Sequence, residues 1–333
     1  MHTVRNATLS AMILLLIVLL VPTGSSLAAP LPAITANSAL GPMLSGCTVF
    51  PANNIWNTRI DTLPVNARSS AWISSIGRST GLHMDFGSGI WPDPGGGPIG
   101  IPYNPVPATQ PGVYMGKSQF QYWDESNLGY YPIPTSPRIE YGSDHHILII
   151  QQGTCKLYEL YAAHKVGGIW HAGSGAIWNL TSNALRPNTW TSADAAGLPI
   201  LPGLVRYSEI AAGAINHAIR FTANNTAGYI WPARHLTSPA SANIPPMGAR
   251  FRLKASFNIS SYPAKMQILL LAMKRYGIIL ADNGSDWYIG GAPNSLWNND
   301  MLHLLDNITG SNFEAVDESS LMINANSGQA KQP

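Results

Sequence analysis

The chain has 333 residues, and 19 Lys and Arg stand against 17 Asp and Glu for a formal net charge of +2. Apolar residues at 45% and charged residues at 11% exclude a disordered polyelectrolyte and a generally basic nucleic-acid binder. With 31 Gly and 26 Pro the chain is too rich in turn formers for a helical bundle or coiled coil, so a mainly β fold is expected.

Residues 1–29 carry Arg5, an unbroken apolar run from Ala11 to Val21, and small residues ending at Ala28-Ala29. This is the pattern of a cleaved signal peptide. The run is shorter than the ~20 residues of a membrane-spanning helix, and Pro22 and Gly24 follow it, so no stable membrane span is expected after cleavage. Residues 30–46 read as a small, polar spacer, 47–320 as a single secreted domain, and 321–333 as a polar tail. Cys47 and Cys155 fit an oxidising compartment. A bridge between them is favoured over two separate buried thiols, and its long loop is worth roughly 4–5 kcal/mol in the chain-entropy account.

Strand signals dominate from Leu82 to Trp178. The run 145–150 and the run 155–161 flank Gln151-Gln152-Gly153-Thr154 and predict a hairpin. A second hairpin is predicted where Ile278–Asp282 and Ser285–Ile289 flank Asn283-Gly284, the favoured pair of a type I′ turn. One helix is expected over Ala264–Tyr276, with Pro263 in its first turn and Gly277 as a left-handed cap. A weaker helix spans roughly Tyr207–Ile219, interrupted by Gly213. The expected architecture is a β-sandwich or jelly-roll-like domain with two or three helices, α+β being the alternative.

No phosphate loop, dinucleotide fingerprint, His-Glu-x-x-His or Gly-x-Ser-x-Gly elbow is present, so chemistry must come from clusters. Gly173-Ser174-Gly175 reads as a tight turn rather than a nucleophile turn. If the first hairpin pairs residues whose numbers total 305, His146 faces Glu159 and Asp144 faces Tyr161, all on one face. Those four suit general acid–base work, against the alternative of a polar cluster facing solvent. Asp282, Ser285 and Asp286 near Trp287 and Tyr288 offer paired carboxylates beside aromatic surface, or ordinary turn chemistry. His83 and Asp85 share a strand face, a second His–carboxylate pair. His217, Arg220, Trp231, Arg234, His235, Arg250 and Arg252 gather cations that suit an acidic glycan, or scattered ion pairs. Ten Trp and 13 Tyr in a chain low in charge supply flat amphipathic surfaces that sugars stack on.

The segments 173–178, Leu185-Arg186-Pro187, 190–204 and 281–288 together resemble a group of secreted bacterial proteins without an established activity. That resemblance implies a single secreted domain and carries no catalytic residue with it.

The expected function is a secreted carbohydrate-active enzyme that cleaves a polysaccharide, with a glycoside hydrolase favoured over a polysaccharide lyase. Hydrolysis draws on Asp282 and Asp286 with Glu159 or Asp85 as partner. Elimination draws on His146 or Tyr161 as base, with Arg234 neutralising a uronate. Substrate contacts are expected from Trp231, Arg234, His235, Trp287, Tyr288, His217 and Arg220. The other class considered is a non-catalytic extracellular glycan-binding or cell-surface protein. No cofactor is expected; a metal held by His83, Asp85, Asp144 and His146 is a third possibility.

Overall fold

A computed structural model describes residues 41–332. The expected signal peptide and most of the spacer lie outside the described residues.

Ten strands form two principal sheets. In chain order they are β1 (His83–Asp85), β2 (Tyr103–Val106), β3 (Ile147–Gln151), β4 (Lys156–Tyr161), β5 (Ser174–Asn179), β6 (Ile219–Ala223), β7 (Arg250–Leu253), β8 (Ile278–Asn283), β9 (Tyr288–Gly290) and β10 (Phe313–Ala315). The smaller sheet has the order β5-β4-β3-β2, antiparallel except for the parallel β3/β2 edge. The larger has the order β10-β7-β8-β6-β9-β1, with β6/β8 and β9/β1 parallel. Helices α1 (Ser69–Ile76), α2 (Tyr207–Ala212), α3 (Ala264–Arg275) and α4 (Asn299–His303) complete a β-rich α+β domain.

The apolar run of β3 is explained by burial on both faces. Leu148 and Ile150, with Leu157 of β4, join the main core that also takes Phe221, Ile279 and Trp287 from the larger sheet. Ile147, Ile149, Tyr158 and Leu160 point the other way, into a second core with Phe120, Tyr131 and Trp170. The smaller sheet is thus a partition between two apolar layers. Cys47 and Cys155 are bonded across 108 residues, tying the N-terminal ribbon of Met43–Leu44 and Cys47–Thr48 to the β3–β4 connection.

The first hairpin forms, but with a four-residue connection at 152–155. Leu148 therefore opposes Glu159, two residues away from the expected pairing. A two-residue slip keeps every side chain on its expected face.

The second predicted hairpin does not form. β8 and β9 are separated by β6, which pairs with both of them. All five residues of β6 are buried, and its place between two strands outweighs the local Asn-Gly turn preference. The chain instead crosses the end of β6, where Thr222 Oγ1 donates to the Ser285 carbonyl at 2.7 Å.

Helix α3 occupies 264–275, with Gly277 at φ +70° just beyond it. Helix α2 stops at Ala212 because Gly213 takes a left-handed φ of +85°; of the rest of the expected helix, 213–218 lie outside any helix or strand and Ile219 begins strand β6. Met43–Leu44, within the expected spacer, pairs with Cys47–Thr48, and the expected polar tail packs on the domain. Leu321 and Ala330 are buried, and Ile55 N donates to the Gly328 carbonyl at 2.8 Å.

Candidate active site

Where the C-terminal end of β8 meets the β4–β5 side of the smaller sheet, a cleft of about 410 Å³ opens. Asp282 and Asn283 enter it from β8, Tyr161 from the end of β4 and Ser174 from the start of β5. Asp144, Glu125, Tyr122, His235 and the segment 191–195 complete its walls.

Below it lies a cluster of buried charge. Arg220, on β6, lays a fork across Asp194, with Nε to Oδ2 and Nη2 to Oδ1 both at 2.6 Å. The same Nη2 reaches Asp282 Oδ2 at 3.3 Å. Asp282 Oδ1 accepts the backbone N–H groups of Ala195 at 3.0 Å and Asn283 at 2.9 Å. Beside this group His146 Nδ1 meets Glu140 at 2.5 Å, and Nε2 meets the Ala193 carbonyl at 3.1 Å. A carbonyl only accepts, so Nε2 carries a proton, and the carboxylate takes the proton on Nδ1. Burial alone would depress His146, but the charge of Glu140 outweighs it and raises the imidazole to about 9.

Two cations, Arg220 and His146, therefore face three carboxyl groups, Asp194, Glu140 and Asp282. The odd carboxyl takes the proton. Burial and the neighbouring charge of Asp194 push Asp282 up to about 8 despite Arg220, whereas Glu140 is held below its ordinary range because His146 overcomes its burial. The carboxyl that stays neutral is the one that reaches the cleft.

Of the residues predicted from sequence, Asp282, Asp144, Tyr161 and His235 line the cleft, while Arg220 and His146 lie beneath it. The ring centroids of His146 and Tyr161 are 5.7 Å apart, so their shared face is real; it is buried at His146 and Glu159 and opens onto the cleft at Tyr161 and Asp144. Glu159 is on that face without reaching the cleft. It is fully buried, accepts N–H groups from Ile200 at 3.0 Å and Leu201 at 2.9 Å and the Trp178 indole at 3.2 Å, and burial raises it to about 7. Its role is to anchor the 198–201 segment to β4.

The remaining candidates stand apart from the cleft. Asp286 accepts Asn224 N at 2.8 Å, a bond across 62 residues to the segment after β6 and not the local turn chemistry of the alternative reading. Trp287 is core, stacked on Phe221 at 5.6 Å with its indole N–H on the Gly77 carbonyl. Tyr288 packs on His83 at 4.2 Å, and Asp85, two residues along β1, is raised by burial. Trp231 donates to the Ser327 carbonyl, and Arg234 is spent on the Arg186 and Ala325 carbonyls and Asn326. His217 belongs to a separate knot with Glu209 and Arg206. Arg250 and Arg252 bind carbonyls together with Glu318 and Glu314.

His146 has both ring nitrogens engaged and His83 lies against Tyr288, so the proposed four-residue metal set is not assembled. Among the described residues no group of three or more His, Cys, Asp or Glu is arranged to hold a metal ion.

Sequence reasoning missed Glu125, Glu140 and Asp194. None sits in a motif, and each becomes meaningful only through a partner that is distant in sequence or across a turn. Most tryptophans are also core: Trp56, Trp72, Trp170, Trp178, Trp287 and Trp297 are buried, and Trp123 is the one largely exposed. Comparison with protein-family models, curated proteins and solved structures finds no match for this chain.

Proposed function

We propose that the chain is an extracellular glycoside hydrolase acting on a neutral polysaccharide. The observation that carries this reading is Asp282, a carboxyl kept neutral near pH 8 and presented to a cleft that also holds Asp144. A neutral carboxyl is what protonation of a glycosidic oxygen requires, and a second carboxylate serves as base or nucleophile. Asp282 is the general acid and Asp144 its partner, with Tyr161 placed between β4 and the cleft to bind a sugar hydroxyl.

The lining favours hydrolysis over elimination. Besides the neutral Asp282 it includes Glu125 and Asp144 but neither Arg nor Lys, and Arg234, the cation proposed for a uronate, is already bound to three acceptors. A polyanion entering such a cleft meets like charge. The Cys47–Cys155 bridge supports an oxidising compartment, and no helix among the described residues is long and apolar enough to cross a membrane.

A second reading, glycan binding without cleavage, draws on exposed rings: Tyr122, which lines the cleft, with Trp123 next to it in sequence, and the Tyr114–Tyr130 pair at 5.4 Å elsewhere on the surface. One experiment separates the two. The protein from residue 30 onward is incubated with neutral and acidic polysaccharides while new reducing ends and unsaturated-uronate absorbance are followed. The hydrolase reading expects reducing ends from a neutral polymer without absorbance, and loss of turnover with retained binding in Asp282→Asn. Retained binding with no turnover in the unmodified protein supports the second reading, and absorbance from an acidic polymer overturns the assignment of hydrolysis.

A further inference from the structure

A short hairpin between β4 and β5 carries a feature that the cleft does not use. The sequence His164-Lys165-Val166-Gly167-Gly168-Ile169-Trp170-His171 is symmetric about its Gly-Gly pair. Both glycines have positive φ, +56° and +84°, the conformation that a two-residue type I′ turn demands of its central positions. This turn fixes the register. Val166 opposes Ile169, Lys165 opposes Trp170, and His164 directly opposes His171.

Alternation then sorts the side chains. Lys165 and Trp170 share one face, with the ammonium 4.8 Å from the ring centroid and the indole in the second core. The histidines share the opposite face with exposed Val166 and Ile169. Their rings lie nearly parallel, 24° apart in plane, with centroids 5.8 Å apart. His164 Nδ1 is 2.9 Å from the Ala162 carbonyl. Because a carbonyl only accepts, Nδ1 carries the proton, and the tautomer so fixed puts the metal-binding lone pair on Nε2. A backbone carbonyl on the far nitrogen is the usual means by which a metal-binding imidazole is oriented.

We propose that His164 and His171 form a two-imidazole site for a late first-row divalent ion, copper(II) or zinc(II), with water completing the coordination. Neutral imidazoles are strong ligands for these ions, and copper(II) stands highest in the divalent affinity order. Two protein ligands on an exposed hairpin leave open positions, which separates this site from closed four-ligand structural zinc sites. The hairpin's register, set by Gly167-Gly168, holds the donors together before the ion arrives. The site stands independently of any activity in the cleft.

The test is copper(II) titration of the untagged protein from residue 30 onward, read by calorimetry and by electron paramagnetic resonance, which counts coordinated nitrogens. One ion per chain with two imidazole nitrogens is expected. His164→Ala and His171→Ala should each weaken binding at least about tenfold, with far-UV circular dichroism unchanged. His303→Ala removes the other exposed His pairing, with Asp306, and should leave binding as it was. Copper affinity undiminished in both hairpin variants, loss confined to His303→Ala, or no binding by the unmodified protein overturns the proposal.

Discussion

Two knots of buried charge in this molecule use the same parts to different ends. Arg250 in the larger sheet is fully buried, and its guanidinium is consumed by the Tyr276, Ile55 and Thr58 carbonyls and by Glu318. Its surroundings are closed, with Glu318 buried beside it. Arg220 is also buried, but it faces two carboxyl groups, and the one it binds less closely opens onto a cleft. A guanidinium matched by one carboxylate and several carbonyls is a structural joint. When it is over-matched by carboxylates, it leaves one of them neutral and available for proton transfer.

Breaking the closed knot should have the largest effect. Arg250→Met strands Glu318 in the core and is expected to cost about 3–5 kcal/mol in denaturant unfolding, without altering the cleft. Removing the Cys47–Cys155 bridge by Ala at both positions comes next, at about 2–4 kcal/mol by the same measurement. Both should leave any activity of the surviving folded fraction unchanged, which sharpens the contrast with the cleft knot.

Both knots contribute to the pH dependence of stability. Asp282 is raised to about 8, and Glu159 and Glu318 to about 7, so the folded state keeps protons that the unfolded chain has released. That stability is fully present below the ordinary carboxyl range and is lost as pH rises through about 7 to 8. His146, raised to about 9, contributes in full below its ordinary value and loses its contribution as pH climbs through about 9. Glu209 runs the other way: held down to about 2 by Arg206 and His217 against its burial, it loses its contribution as pH falls toward 2. The melting temperature should therefore be higher near about pH 5 than near about pH 9, and Asp282→Asn should flatten the alkaline fall. The smallest effect is expected from Asp286→Asn, which keeps an acceptor for Asn224 N and should change stability by under about 0.5 kcal/mol.

How much of this was legible in the sequence follows from the range of the interactions involved. The β-rich class, helix α3 and the first hairpin were readable because each rests on local pattern: a continuous apolar run, a Pro and Gly bracketing a helix, a Gly-bearing turn. The Asn283-Gly284 hairpin was misread because the insertion of β6 between β8 and β9 is a parallel, long-range pairing that no short window contains. In the site, the face shared by His146 and Tyr161 survived a two-residue slip because strand periodicity is two. The Arg220–Asp194 fork joins β6 to a loop 26 residues away, and neither residue carries a signal of the other. Trp287 looked like a sugar platform and is core, since composition counts rings without saying which way they point.

The central claim is that Asp282 is the odd carboxyl of the cleft knot and is neutral at ordinary pH. Carbon-13 labelling of the aspartates, with the Asp282 carboxyl assigned by its absence in Asp282→Asn, permits its titration to be followed directly by NMR. The account predicts a midpoint near 8, moved by Asp194→Asn toward the ordinary range because the neighbouring charge has gone. A midpoint near 4 in the unmodified protein would mean that Arg220 neutralises both aspartates and would contradict it.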